Sequence, residues 1–300
     1  MSQSALVEPS ASEAPPADLQ EAPRSRIPIL LRWRNPIGIV GAAIVALTAL
    51  TAALGPLLWR VPYSAQRYRR LQPPSLATPM GTDELGRDLL ARVIHGAQVS
   101  LQVGAVAVLI ALTIGLTLGL IAGYYGGSLD AFMMRIVDIG FAFPGLVLAI
   151  VITGLLGPSR TNAMIAIGIV YAPAFARVVR ASVLEILSRP FVEAARALGS
   201  STPAIILRHL LPNIVAPVIV MITVYLSTAI LSEAALSFLG LGTQPPEPSW
   251  GGMLNASRTY MELAPWMTIF PGLAIMAVIM GFNFLGDGLR DVLDPRLKDV

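Results

Sequence analysis

The sequence predicts an all-α polytopic membrane protein with six transmembrane helices, and two observations carry that reading. Of its 300 residues 55% are hydrophobic and only 13% charged, with a mean hydropathy of +0.69; an ordinary soluble domain carries roughly a quarter charged residues. Six apolar runs, separated by polar and punctuated connections, are each long enough to cross a hydrocarbon core of about 30 Å.

Composition also excludes. The chain has no cysteine, which removes disulfides, thiolate metal sites and thiol nucleophiles. Its one lysine, Lys298, is followed by Asp299, whereas a phosphate-cradling loop needs Gly-Lys followed by Ser or Thr. Nucleotide hydrolysis that powers this chain therefore belongs to another polypeptide, and no cofactor is expected here. No basic run is interleaved with aromatics, so the expected surroundings are membrane lipid and not nucleic acid.

Residues 1–30 are expected to form a disordered cytoplasmic tail and 31–300 the membrane domain. Met1 to Pro23 is Ala, Pro, Ser and acid (Glu8, Glu13, Asp18, Glu21), with too little apolar surface to offset the entropy of ordering. The tail lacks the pattern of a secretory signal, because its positive cluster and apolar run come late. The first span, Ile37 to Trp59, follows Arg24, Arg26, Arg32 and Arg34; about 23 residues rise about 35 Å as a helix.

A polar outer loop, about 60–98, holds Pro62, Pro73, Pro74 and Pro79 and then an amphipathic helix from Thr82 or Asp83, expected on the membrane surface. The second span runs from Val99 to about Ala122. The third, Ile136 to Leu156, contains Pro144-Gly145, and the fourth, Ala163 to Val179, contains Pro173. These prolines predict kinks, not breaks, because neighbouring helices or waters satisfy freed carbonyls in a membrane. The fifth span is Val215 to Phe238 and the sixth Pro265 to Leu285. With the amino terminus inside, 13 of the 21 basic residues lie inside, and six of the eight outside fall in the long first loop. That favours two cytoplasmic termini.

The stretch 185–217 is then cytoplasmic. Pro190 suits the first turn of a helix, Gly199 a left-handed stop, and Thr202-Pro203 the start of a second helix that ends at Leu211, ahead of Pro212. Glu185, Arg189, Glu193 and Arg196 recur at helical spacing beside the small Ala194 and Ala195. Physics leaves two readings open: a hairpin that inserts into a partner's groove, or an ordinary solvated hairpin held by ion pairs.

Glu193-Ala194-Ala195, Gly199 and Leu211-Pro212 stand at the spacing of the EAA loop of ABC-importer permease subunits, with His209 where that pattern has Ile. Gly81 to Gly104, Glu233 to Leu254 and Leu285 to Leu297 are similar to the dipeptide, oligopeptide and nickel permease group, particularly its second permease subunit. The resemblance covers nearly everything after about residue 30. It implies the type I ABC-importer permease fold with its core in the last five spans. It also implies an inner-membrane, heteromeric importer: this chain, a homologous permease, one or two ATP-binding subunits holding ATP and Mg, and an external solute-binding protein. Glu193, Ala194, Ala195, Arg196, Gly199, Leu211 and Pro212 would be the ATPase-coupling residues.

Three further residues are candidates for the gate or pathway. Asp138, three residues after Arg135, and Glu233, toward the outer end of the fifth span, are ionisable groups inside a membrane; the alternative is that both lie near an interface and pair or snorkel. Trp250, in the proline-rich outer loop, belongs either to a gate or docking surface or to a packed cap. His95 and His209 lie far apart, without ligands at metal spacing. An ATP-independent secondary transporter or channel is the other function class; its expected marks, inverted repeats or a midplane ion site, are not clear in this sequence.

Overall fold

The computed structural model describes residues 35–293, and the expected disorder of residues 1–30 lies outside them. Ten α-helices occur among the described residues. Helix α1 is Pro36–Leu58, capped by Asn35, and α2 is Leu89–Tyr125. A broken pair comes next, α3 Gly127–Phe141 and α4 Gly145–Leu156, then α5 Arg160–Leu187. The hairpin is α6 Pro190–Ala197 and α7 Thr202–Ile205; a π-type turn, Ile206–Leu210, leads into α8 Leu211–Phe238. Short α9, Trp250–Ser257, and α10, Trp266–Leu293, complete the chain. Five continuous helical stretches have the length and composition to cross a membrane, and the bent α3–α4 pair makes a sixth.

The structure corrects three local expectations. Thr82 to Asp88 is not helical: the segment turns and bridges back to the loop, and Asp88 caps α2 at Leu89. From Leu89 onward the chain forms no surface helix but the buried first turns of a 37-residue span, because Leu89, Val93, Ala97 and their neighbours pack beneath the loop and α9. At Pro144 the third span breaks with an 89° bend. The second hairpin helix does not end at Leu211. Pro212 has no N–H to return to Arg208, and the register slips there: Leu211 N–H bonds to Ile206 O and the helix continues.

The central contact is between α2 and α5, which run parallel. Gly115, Gly119 and Gly123 stand four residues apart on α2, and the helices close over them. A Cβ at Gly119 would lie 2.6 Å from Ala176 O, and one at Gly123 would lie 2.9 Å from Val183 Cβ. This is the small-residue solution to helix packing in lipid, where apolar burial alone gives neighbouring helices little reason to associate. On the other side, Gly38 and Gly41 let α1 approach Gly288 and Leu285 of α10. Polar ties hold α8 in the middle: Tyr171 bonds Ser232 at 2.6 Å, and Ser227 donates to Asn283 at 2.8 Å.

Gly119→Leu should force α2 from α5 and destabilise the protein by more than about 1–3 kcal/mol. Gly154→Leu, where nothing lies within 4 Å of the added Cβ, should leave the melting temperature in detergent nearly unchanged.

Candidate functional site

The two ends of the bundle are built differently. At one end three indole N–H groups tie the loop 59–88, α2, α9 and α10 into a cap: Trp59 donates to Asp88 across the loop at 3.2 Å, Trp250 of α9 to Val93 O of α2 at 3.0 Å and Trp266 of α10 to Thr82 O of the loop at 3.1 Å. Beneath them lies a charge cluster in which Arg87 meets Asp83 at 2.5 Å and Glu84 at 2.8 Å, with Arg92 3.4 Å from Asp83. Burial pushes the Asp88 carboxyl above its ordinary range, against the opposing bonds from Ala91 N–H and Trp59. Trp250 is 2% exposed, so its ring is part of this cap's core.

Glu233 is 0% exposed and lies inside the cap. It accepts from Ser237 of its own helix at 2.7 Å and from Ser100 of α2 at 3.4 Å. Ser237 Oγ in turn accepts from Thr243 N–H at 3.0 Å, tying in the loop after α8. Arg160, at the start of α5, pairs with Glu247 of the same loop at 2.5 Å.

At the other end, Arg189 to Leu211 forms the hairpin. Its inner face is apolar and packed: Val192, Ile205 and Leu210 sit on Val179, Val183 and Ile186 of α5 and Ile214 of α8, and Ala195 is buried as well. Tyr124, near the end of α2, touches both arms, donating to Thr202 Oγ1 at 3.1 Å and lying 5.7 Å beneath the Arg196 guanidinium. Gly199 turns the chain at φ +80°, and Ser200 N–H returns to Ala195 O. The second helix starts one residue earlier than expected, with Ser201 at the cap position.

Of the predicted coupling residues, Glu193, Ala194, Arg196, Gly199 and Pro212 are exposed, while Leu211 is half-buried and Ala195 faces the bundle. The outer face also carries Leu198, 87% exposed, and Leu207. Of the expected charge pairs, Glu185–Arg189 forms, at 2.7 Å; Arg189 sits at the break between α5 and α6, so the helical spacing to Glu193 is lost. Asp138 pairs with Arg177 of α5 at 3.1 Å and not with Arg135, and Arg177 stacks 4.1 Å from the Phe141 ring. Arg180 clamps Asp130 through two bonds of 2.5 Å. His95 bonds Ala91 O and His209 lies near Phe191. Among the described residues no three metal-ligating side chains converge.

A model of the family described as binding-protein-dependent transport system inner membrane component matches residues 115–299. The dipeptide transport system permease protein DppC of Alkalihalophilus pseudofirmus is 48% identical over 302 residues, 98% of this chain and 97% of that protein. The chain belongs to this permease family. The glutathione transport system permease protein GsiD of Escherichia coli is 48% identical over 263 residues, 83% of this chain and 87% of its own. In fold, the permease is similar to an inward-facing structure of the MetNI methionine ABC transporter, with a TM-score of 0.56 and 22% identity, covering 67% of this chain and 96% of that one. The permease is thus the membrane-spanning component of an ABC importer, with the type I fold.

Sequence reasoning missed the partners of Glu233 and the role of Tyr124. It also passed over the four-residue spacing of Gly115, Gly119 and Gly123 on α2, a motif signal that would have pointed to a close helix contact. Ser237 stands four residues from Glu233 at helical spacing, whereas Ser100 lies 133 residues away and carries no local signal.

Tyr124→Ala, which removes the ring beneath Arg196 and the bond to Thr202, should speed tryptic cleavage after Arg196 and Arg208, and Tyr124→Phe should do so much less. Glu233→Ala should cost about 1–3 kcal/mol by leaving buried hydroxyls without an acceptor, read as a lowered melting temperature; Glu233→Gln, which keeps an acceptor oxygen, should cost less.

Proposed function

We propose that the hairpin is the docking element for an ATP-binding subunit and that this permease supplies one half of a pathway for peptides or similar small solutes. The observation that carries the reading is the hairpin's two-faced construction: packed and pinned within, charged and apolar without, at the end of a long rigid helix. A solvated hairpin held by ion pairs has no need of an exposed Leu198 and Leu207, and the Glu185–Arg189 pair is too exposed to hold it. Apolar side chains rimmed by Glu193, Arg196 and Arg208 suit a helix-in-groove contact.

In this reading the hairpin faces the cytoplasm, both termini lie there, and ATP with its Mg belongs to the docked subunit. A homologous permease forms the other half of the pathway, and an external binding protein delivers solute to the capped end. The peptide assignment rests on the dipeptide and glutathione permeases to which the chain is similar. ATP-driven closure of the docked subunits pushes on the hairpin, and its inner face passes the movement to α5 and α2.

Gly199→Leu tests the coupling. Nothing obstructs the added side chain, so its cost is the left-handed backbone alone, about 1–2 kcal/mol. Transport in proteoliposomes should fall on the order of tenfold while the ATP-binding subunit still co-purifies. Normal transport by that variant would show that the hairpin angle does not couple. Solute flux through this chain alone would overturn the importer reading itself.

A further inference from the structure

The capped end carries a feature that neither the pathway nor the hairpin explains. Leu231, Ala235 and Phe238 of α8, Leu254 of α9, and Gly272 and Ile275 of α10 enclose an open crevice of about 460 Å³. All of its walls are apolar. It exists because α10 has no side chain at Gly272, where a Cβ would meet nothing within 4 Å, and because α8 offers only alanines at 234 and 235. Gly272 lies six residues into α10, about 9 Å below the helix start, so the crevice opens at hydrocarbon depth. Arg258 does not line the crevice but lies 5.4 Å from the ring of Phe238, one of its wall residues. Arg258 is exposed and makes no ion pair among the described residues.

We propose that this crevice holds one acyl chain of a membrane phospholipid whose phosphate is bound by Arg258. Apolar walls below a cation at headgroup level match the two halves of such a lipid and no other class of ligand at this depth. A peptide would leave its backbone polar groups without partners against these walls. A partner helix, about 10 Å across with its side chains, is broader than a crevice of this volume admits. Asn255 at the same rim is already engaged, donating to Phe238 O, which leaves the guanidinium as the anion contact. The site ties the lipid to α8 and α10, the two helices whose outer ends the cap joins.

Gly272→Leu fills the crevice without a clash, and Arg258→Gln removes the cation alone. In the assembled importer purified with its partner subunits, native mass spectrometry should find phosphatidylglycerol retained by the parent protein. Gly272→Leu should lose it, and Arg258→Gln should bind it about tenfold more weakly. A neutral diacylglycerol of the same chain length should bind the parent and Arg258→Gln equally. Equal retention of phosphatidylglycerol by all three proteins overturns the proposal. So does burial by another subunit: the chain has no cysteine, so Leu231→Cys is this chain's one thiol, and its labelling is read on this chain's own band. The thiol should react with a lipid-soluble maleimide in the complex, and protection there but not in the isolated chain would assign the crevice to a protein partner.

Discussion

The architecture depends on the close parallel contact between α2 and α5, which three missing side chains permit. In water, helices associate because apolar faces leave the solvent; in lipid that term nearly vanishes, and backbone proximity, dispersion and a few hydrogen bonds remain. Gly115, Gly119 and Gly123 bring the α2 backbone against Ala172, Ala176 and Val179, where interior packing is dense enough to transmit displacement rather than absorb it. Helix α5 then runs without interruption to Leu187, two residues before the hairpin, and α2 ends at Tyr124 and Tyr125 beneath the same hairpin. One pair of helices thus frames the membrane core and carries the exposed hairpin at its end.

The contrast between the ends arises from how each satisfies its polar groups. The cap ties most of them together internally, through three indoles, the arginine–carboxylate cluster and the Glu233 hydroxyls, and leaves Glu84 Oε2, Asp88 Oδ2 and Thr243 Oγ1 buried without a partner among the described residues. The hairpin turns at the left-handed Gly199 and leaves Glu193, Leu198 and Leu207 exposed on its outer face. A structure in which one end is closed on itself and the other offers a stiff, half-apolar surface is polarised along the membrane normal, as a one-way importer requires.

Much of this was legible in the sequence because the bilayer restricts the options: apolar runs of crossing length become helices, and the EAA spacing locates the hairpin. The misreadings share a cause. Thr82 to Gln98 has helical periodicity, yet Thr82 is taken by Arg69 O and Gln72 N–H and Asp83 by two arginines, so tertiary bonds override local preference until Leu89. Asp138 sits at helical spacing from Arg135, but its partner comes from α5, and pairing across helices leaves no periodic trace. Ser100, which donates to Glu233, stands 133 residues away and likewise leaves no local trace.

Proline shows the same dependence on distant partners. Within a span it frees the carbonyl four residues back, and in hydrocarbon that group must find another donor or the helix must give way. Pro56 frees Ala52 O, and Gln98 of α2 donates to it at 2.7 Å; α1 runs on. Pro173 is accommodated where α3 offers Gly140, at which a Cβ would lie 2.7 Å from the proline ring, and α5 stays continuous. Pro212 is absorbed by a one-residue slip. At Pro144 the chain turns by 89° instead, and the exposed Phe141 and Phe143 flank the bend. Whether a membrane proline kinks, slips or breaks its helix is therefore decided by what stands opposite it, and here the break falls in the span that touches α5 beside the Asp138–Arg177 pair, away from the cap that locks the other end.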